Sequence, residues 1–376
     1  MNLEEATRNR SCFLFGPRQT GKSMLIRESL PPGTPVYNLL DQRVFLDLNT
    51  DPTRIRQELE ARDLRDALVV VDEIQKLPSL LDEIHLLIET RGLRFLLTGS
   101  SARKLRRSGT NLLGGRARSR HLHPLSWKEL GARFDLGKAL NFGLLPSIHF
   151  SDDPREDLRA YVGTYLKEEI TAEGLTRNVP AFARFLEVAA ACSGKMFNKT
   201  EVANDAKVPR TTVHDYFEIL KDTLIGHELP PWNRGEKRKA IETPKFYMFD
   251  SGVVQAILGR APLAPKSPEF GEAFEHFLFH ELQTYVDTRA PGRELAYWRS
   301  TARHEVDFVL GGETAIEVKT TASVTPRDLR GLQALAEEGV MKNLLLVCQE
   351  SVPRKIGEVL VLPWQEFLAR LWDGAY

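Results

Sequence analysis

Gly16-Pro17-Arg18-Gln19-Thr20-Gly21-Lys22-Ser23 fits the pattern G-x-x-x-x-G-K-[ST] and follows a short apolar run, Cys12 to Phe15. An apolar strand, a glycine-rich turn and then a helix is the context in which that pattern binds phosphate. The two glycines let backbone N–H groups curl around an anion, with Pro17, Arg18, Gln19 and Thr20 forming the rest of the loop. Lys22 reaches the β and γ oxygens, and the Ser23 hydroxyl ligates Mg²⁺ while the helix directs its positive end at the phosphates. The expected cofactors are ATP and Mg²⁺.

A second apolar run, Leu68-Val69-Val70-Val71, closes on Asp72 and Glu73. It reads as a buried parallel strand whose C-terminal end faces a ligand. Asp72 holds the Mg²⁺ through water, and Glu73 polarises the attacking water, since hydrolysis needs a base in line with the γ-phosphate. Taken alone, the acid pair reads equally as a helix cap at a strand exit. A third strand, Arg94 to Ser101, ends in polar groups, of which Thr98 and Ser100 are candidates for sensing the γ-phosphate. A plain Ser/Thr turn is the alternative.

The 376 residues exceed one comfortable core, so several domains are expected. Basic and acidic residues number 51 each, so any nucleic-acid surface must come from local clustering. The start, Met1 to Glu5, is acidic, and no run approaches bilayer length, which makes the cytoplasm the expected location. Cys12, Cys192 and Cys348 lie far apart and read as small core hydrophobes.

Residues 1 to 125 alternate short strands with amphipathic helices, which implies an α/β fold with a parallel sheet. From Arg103 to Arg120 the chain carries Arg103, Lys104, Arg106, Arg107, Arg116, Arg118 and Arg120 and no acid, a pattern suited to phosphate or DNA contact. Within it Arg116 sits on a glycine-flanked loop and would serve as an arginine finger toward a neighbouring subunit. Residues 126 to 190 read as a helical lid anchored by Trp127, Leu130, Phe134, Tyr161, Tyr165 and Leu166. In the next segment, 191 to 260, Asn198 to Ala206 and Arg210 to Leu220 have helix-turn-helix spacing, with Arg210, Thr211, Thr212 and His214 at the exposed end of the second helix. Arg234 to Lys239 is a basic wing candidate.

Prolines 262, 265 and 268 read as a linker opening the segment 261 to 376. There a helix carrying Glu272, Glu275 and Glu281 precedes strands at 295 to 299, 305 to 310 and 315 to 319. Period two places Glu317 and Lys319 on one face, with Asp307 beside them across the hairpin. Asp307, Glu317 and Lys319, with Glu275 from the helix, would hold a divalent metal against a phosphodiester. A solvated strand face is the alternative.

Taken together, GPRQTGKS at 16 to 23, VVVDEIQ at 69 to 75, LLTGSSARKL at 96 to 105, LLGGRA at 112 to 117, HPLSWKEL at 123 to 130, FYMFDSGVV at 246 to 254, EVDFVL and IEVK resemble the prokaryotic AAA-type (AAA+) ATPases that carry a C-terminal restriction-endonuclease-like, PD-(D/E)XK, domain of unassigned function. The resemblance covers nearly the whole chain. It implies a P-loop NTPase core with Lys22, Ser23, Asp72 and Glu73 in their motif roles, a winged helix-turn-helix, and a C-terminal α/β domain. It also implies a homo-oligomeric ring, a hexamer by preference, that works on DNA, including branched or recombining DNA. Three functions compete: an ATP-driven DNA motor or remodeller, an ATP-gated helix-turn-helix regulator with slow hydrolysis, and a signalling scaffold.

Overall fold

The computed structural model describes residues 3–101, 103, 105, 113–166 and 178–376, with nothing stated of the side chains of 164–166. Lys104, Arg106 and Arg107 of the basic segment therefore lie outside the described residues, as do the side chains of Tyr165 and Leu166. The chain divides into two compact units, residues 1–123 with 222–225, and residues 124–221 with 226–376.

The first unit is built on five parallel strands: β1 (Ser11–Phe15), β2 (Val36–Asn38), β3 (Leu68–Asp72), β4 (Arg94–Gly99) and β5 (Ala117–His121). They lie in the order β2-β3-β4-β1-β5. Period-two alternation divides their side chains between two cores. Phe13, Phe15, Val69, Val71, Phe95 and Leu97 face one side, where Leu80, Ile84 and Leu87 of the helix Leu80–Arg91 cover them. Cys12, Leu14, Val70 and Leu96 face the other, against Ile26 of the helix Lys22–Ser29. Because all the strands run one way, β1, β3 and β4 end at the same edge, and every nucleotide-site candidate except Arg116 gathers there.

The second unit begins with short helices, Trp127–Leu130, Leu136–Phe142, Pro146–His149 and Pro154–Ala160, and then the helix Val179–Ala191. A two-residue strand β6 (Lys195–Met196), helices Lys199–Ala206 and Arg210–Asp222, and strands β7 (Gly226–Leu229) and β8 (Lys245–Met248) follow; the strands pair in the order β6-β8-β7. Val202, Val213 and Phe217 bury the inner faces of this helix pair. Phe217 packs edge-on to Phe246 of β8.

The 21-residue helix Pro268–Thr288 starts at Ser267, whose side chain accepts from the Phe270 N–H. It leads into β9 (Leu295–Arg299), β10 (Glu305–Leu310), β11 (Thr314–Val318), β12 (Asn343–Cys348), β13 (Arg354–Ile356) and β14 (Val359–Pro363). The sheet order is β13-β14-β12-β11-β10-β9, with β11, β12 and β14 parallel and the rest antiparallel. One face packs on the long helix through Phe308, Ile316, Val318 and Val347. Its other face packs through Val306, Ala315 and Leu346 on Leu332 and Leu335 of the helix Arg330–Ala336. Both faces are thus covered and β11 is buried along its whole length, so the Glu317 face is not the solvated surface that alternation alone would allow. Among the described residues no helix is long and apolar enough to cross a membrane.

Candidate functional site

The phosphate-binding loop is tied to the sheet at its start and closed on itself. The Gly16 N–H donates to the Gly99 carbonyl of β4 at 3.2 Å, and the Thr20 hydroxyl closes the loop on the Pro17 carbonyl at 2.7 Å. Gly21 has φ 91°, a left-handed conformation that glycine adopts at little cost, and it starts the helix Lys22–Ser29 with no side-chain cap. Its first N–H groups are the donors an anion would use. The buried Lys22 folds back over the loop, its Nζ donating to Gly16 O at 2.6 Å and Pro17 O at 2.9 Å. Arg18 and Gln19 stand exposed at the tip.

Beside the loop, Asp72 ends β3 as a buried carboxylate with two hydroxyl partners. Ser23 donates to its Oδ2 at 3.2 Å, and Thr98 donates to Oδ1. Thr98 also accepts from the Glu73 N–H at 3.3 Å, which ties the two acids to β4. Glu73 is buried and has φ 63° and ψ 43°, a left-handed conformation that is costly for a residue with a side chain. Gln75 holds its carboxylate, Nε2 donating to Glu73 Oε2 at 2.5 Å and to Ser100 Oγ at 3.2 Å. A Cβ at position 99 would lie 2.3 Å from Gln75 Oε1, so Gly99 makes the room Gln75 occupies. Sequence reasoning missed Gln75; its signal was an amide two residues beyond an acid pair.

These residues fit a magnesium nucleotide. The helix start is uncapped, the ammonium lies over the loop, and the Ser23 hydroxyl is within hydrogen-bond reach of Asp72. Ser23 and Asp72 would hold the Mg²⁺, which neutralises charge on the phosphates when bound.

Arg116 does not join this group. It immediately precedes β5, whose first residue pairs with Ser11 at the start of β1, whereas the loop leaves the far end of β1. Five residues of strand separate the two edges by about 15 Å. The guanidinium pairs with Glu89, whose carboxyl it holds below the usual range. Together with Arg10 and Arg94 it lines an open recess of about 540 Å³. Arg103 pairs with Asp222 at 2.7 Å, while Arg118 is exposed.

In the second unit, β10 and β11 bring Asp307 and Glu317 opposite each other, continuing the Phe308–Ile316 register. Asp307 Oδ2 accepts from the Val318 N–H at 2.8 Å. Lys319 Nζ lies 2.5 Å from Glu317 Oε1, while the buried Oε2 has no partner. Burial and the nearby Glu275 charge push Asp307 up to about 6, against the pull of two lysines. Burial and Asp307 likewise raise Glu317. Glu275 accepts from Tyr247 Oη at 2.6 Å. Between Glu275 and Asp307 stands a residue that sequence reasoning overlooked, the buried Lys245 of β8. Among the described residues no three His, Cys, Asp or Glu side chains gather closely enough to hold a metal ion. The residues expected to hold a metal stand here in an ion-paired cluster, with the Lys245 ammonium between Glu275 and Asp307 and Lys319 on Glu317.

Arg210, Thr211 and His214 are exposed at the start of their helix, with Thr212 half-buried. The basic wing candidate lies between β7 and β8 and is held down on the β9 edge. The Trp232 N–H donates to Tyr297 O at 2.6 Å, and the Ile241 N–H donates to Arg299 O at 2.8 Å. Arg234 pairs with Glu294, Arg238 with Glu337, and the Lys237 N–H donates to Glu338.

Residues 8–131 match the model of an AAA domain, which supports a P-loop ATPase of the AAA type. Residues 133–264 match a domain of unknown function, DUF8612, and residues 270–367 another, DUF4143. The chain is 27% identical over 350 residues to an uncharacterized protein of Mycobacterium tuberculosis, covering 89% of this chain and 75% of the relative; the same figures hold for an uncharacterized protein of Mycobacterium bovis. It is 22% identical over 338 residues to an uncharacterized protein of Methanocaldococcus jannaschii, covering 81% of this chain and 73% of the relative.

Proposed function

We propose that this protein hydrolyses ATP to drive a DNA-binding assembly, as a motor or remodeller built from copies of itself. The observation that carries the reading is the hydrogen-bonded set Ser23–Asp72–Thr98 with Glu73 held in a strained, buried conformation beside it. Strain of that kind persists where the surroundings enforce it, which supports a role for Glu73 as the base. In the reaction Lys22 exchanges its two carbonyl partners for phosphate oxygens, Asp72 and Ser23 orient the magnesium nucleotide, and Glu73 accepts the proton of the attacking water.

The exposed start of the Arg210–Asp222 helix supports DNA contact, because a helix-turn-helix presents that end to a major groove. The stapled wing leaves Arg210, Thr211 and His214 as the contact surface. The six-stranded sheet, with a helix before it and a helix between β11 and β12, supports a restriction-endonuclease-like domain, used here as a DNA-gripping platform. Arg116 supports the assembly, since it lies too far from its own loop and serves only a neighbour's.

Lys22→Ala should abolish ATP binding. Glu73→Gln should bind ATP yet hydrolyse it about 10²- to 10³-fold more slowly. Fluorescence anisotropy with duplex, single-stranded and four-way DNA tests the partner: affinity should fall with salt and with Arg210→Ala. Absence of binding to every form would reject the DNA reading and leave the ATPase. A second reading, the ATP-gated regulator, is favoured by the Gln75 bond to Glu73, which suits slow turnover; hydrolysis that DNA does not accelerate would select it.

A further inference from the structure

Lys245 is 3% exposed and comes from β8, outside the helix and strands that carry the acids. Its Nζ lies 2.7 Å from Glu305 Oε1, 3.2 Å from Glu275 Oε1 and 3.8 Å from Asp307 Oδ1, and 5.4 Å from the centre of the Tyr297 ring. A buried ammonium is tolerated only where charges and hydrogen bonds replace water, and here three carboxylates and a ring face do so. Lys319 serves Glu317 and Arg299 serves Glu305, at 2.5 and 3.0 Å. Four carboxylates thus meet three cations of the chain itself.

We propose that Lys245 is the resident cation of this site, standing where a divalent metal would bind, so that metal and ammonium are alternative occupants and the folded protein keeps the metal out. A divalent ion needs carboxylate oxygens drawn in to little more than 2 Å. Asp307 and Glu275 cannot close to that distance around a metal while an ammonium stands between them. The unpartnered Oε2 of Glu317, on a residue 7% exposed, marks the vacant side of the same cluster. Because Lys245 belongs to β8, which pairs with β6 and β7 of the helix-turn-helix segment, it ties that segment to the acidic hairpin. The proposal goes beyond the ATPase reading and does not depend on it.

The test is a Mn²⁺ titration of nucleotide-free protein, with free Mn²⁺ read by electron paramagnetic resonance. Wild-type protein should show no site that Asp307→Asn removes at Mn²⁺ up to about 1 mM. Lys245→Met should gain one site at least about tenfold tighter than that limit, lost again on adding Asp307→Asn. If Lys245→Met does not fold, Lys245→Ala, which also vacates the position between the carboxylates, is titrated in its place. An Asp307-dependent site in wild-type protein overturns the proposal without any Lys245 variant. A folded Lys245 variant that binds no Mn²⁺ also overturns it.

Discussion

On the proposed reading, chemistry at the nucleotide site is set through Glu73 and the Gln75 amide bonded to it. The Gln75 amide grips one oxygen of the Glu73 carboxylate and spans to Ser100, which on that reading makes it a positioning residue for the base. Gln75→Ala should lower kcat about tenfold with KM nearly unchanged, since only the base is misplaced. Gly99→Ala should reproduce that split, because its Cβ would meet Gln75 Oε1 at 2.3 Å. Steady-state kinetics on both variants decide the matter; a rise in kcat would show that Gln75 restrains Glu73 instead. At this scale the motif located Lys22, Ser23, Asp72 and Glu73, which the fold brings to one sheet edge, whereas Gln75 had only its place two residues beyond the acid pair, and a neutral amide there does not announce which side chain it will grip.

Among the elements, the helix Pro268–Thr288 carries the clearest pH signal. Its Glu281 is fully buried, accepting from the Trp127 N–H at 2.6 Å and Trp372 Nε1 at 2.8 Å. Burial pushes it up to about 8, against the pull of those two donors. A carboxyl raised in the fold contributes stability that is complete below its unfolded value and lost as pH rises through the folded one. Asp250 and Asp307, pushed up to about 6, are about nine-tenths ionised in the fold by pH 7, and the raised Glu317 adds a fall of the same sign. His276, pushed down to about 4 by burial, is neutral in the fold here and adds only a small opposing rise as its unfolded form loses the last of its charge. From pH 7 to 8 Glu281 should therefore lower the unfolding free energy by about 1 kcal/mol. Glu281→Gln should flatten that slope while lowering stability overall, because its NH₂ faces one of the two donors. Denaturant titrations at fixed pH values supply the check; an unchanged slope in the variant would assign the titration elsewhere.

For the whole molecule the decisive question is whether copies act on one another. Arg116 sits at the sheet edge opposite the phosphate loop, in a recess lined also by Arg10 and Arg94. Arg116→Ala should bind ATP normally and hydrolyse it about 10³-fold more slowly or worse. Mixing it with Lys22→Ala should restore activity, since each chain supplies what the other lacks. No recovery on mixing would show that Arg116 does not act across an interface.

The sequence by itself determined what local chemistry dictates: a strand, a glycine loop and a helix for phosphate, an acid-capped valine strand, the helix-turn-helix spacing, and the hairpin that sets Asp307 against Glu317. Each rests on short-range periodicity or turn chemistry, which neighbours in the chain settle among themselves. Only the tertiary structure decided what distant segments bring. It covered both faces of β11, stapled the basic segment Arg234 to Lys239 through Trp232 and Arg238, and drove the Lys245 ammonium from β8 between Glu275 and Asp307. The alternation of β11 looks the same whether one face meets water or a second layer. The charge of Lys245 looks like any surface lysine until the fold removes its water and leaves carboxylates as its partners.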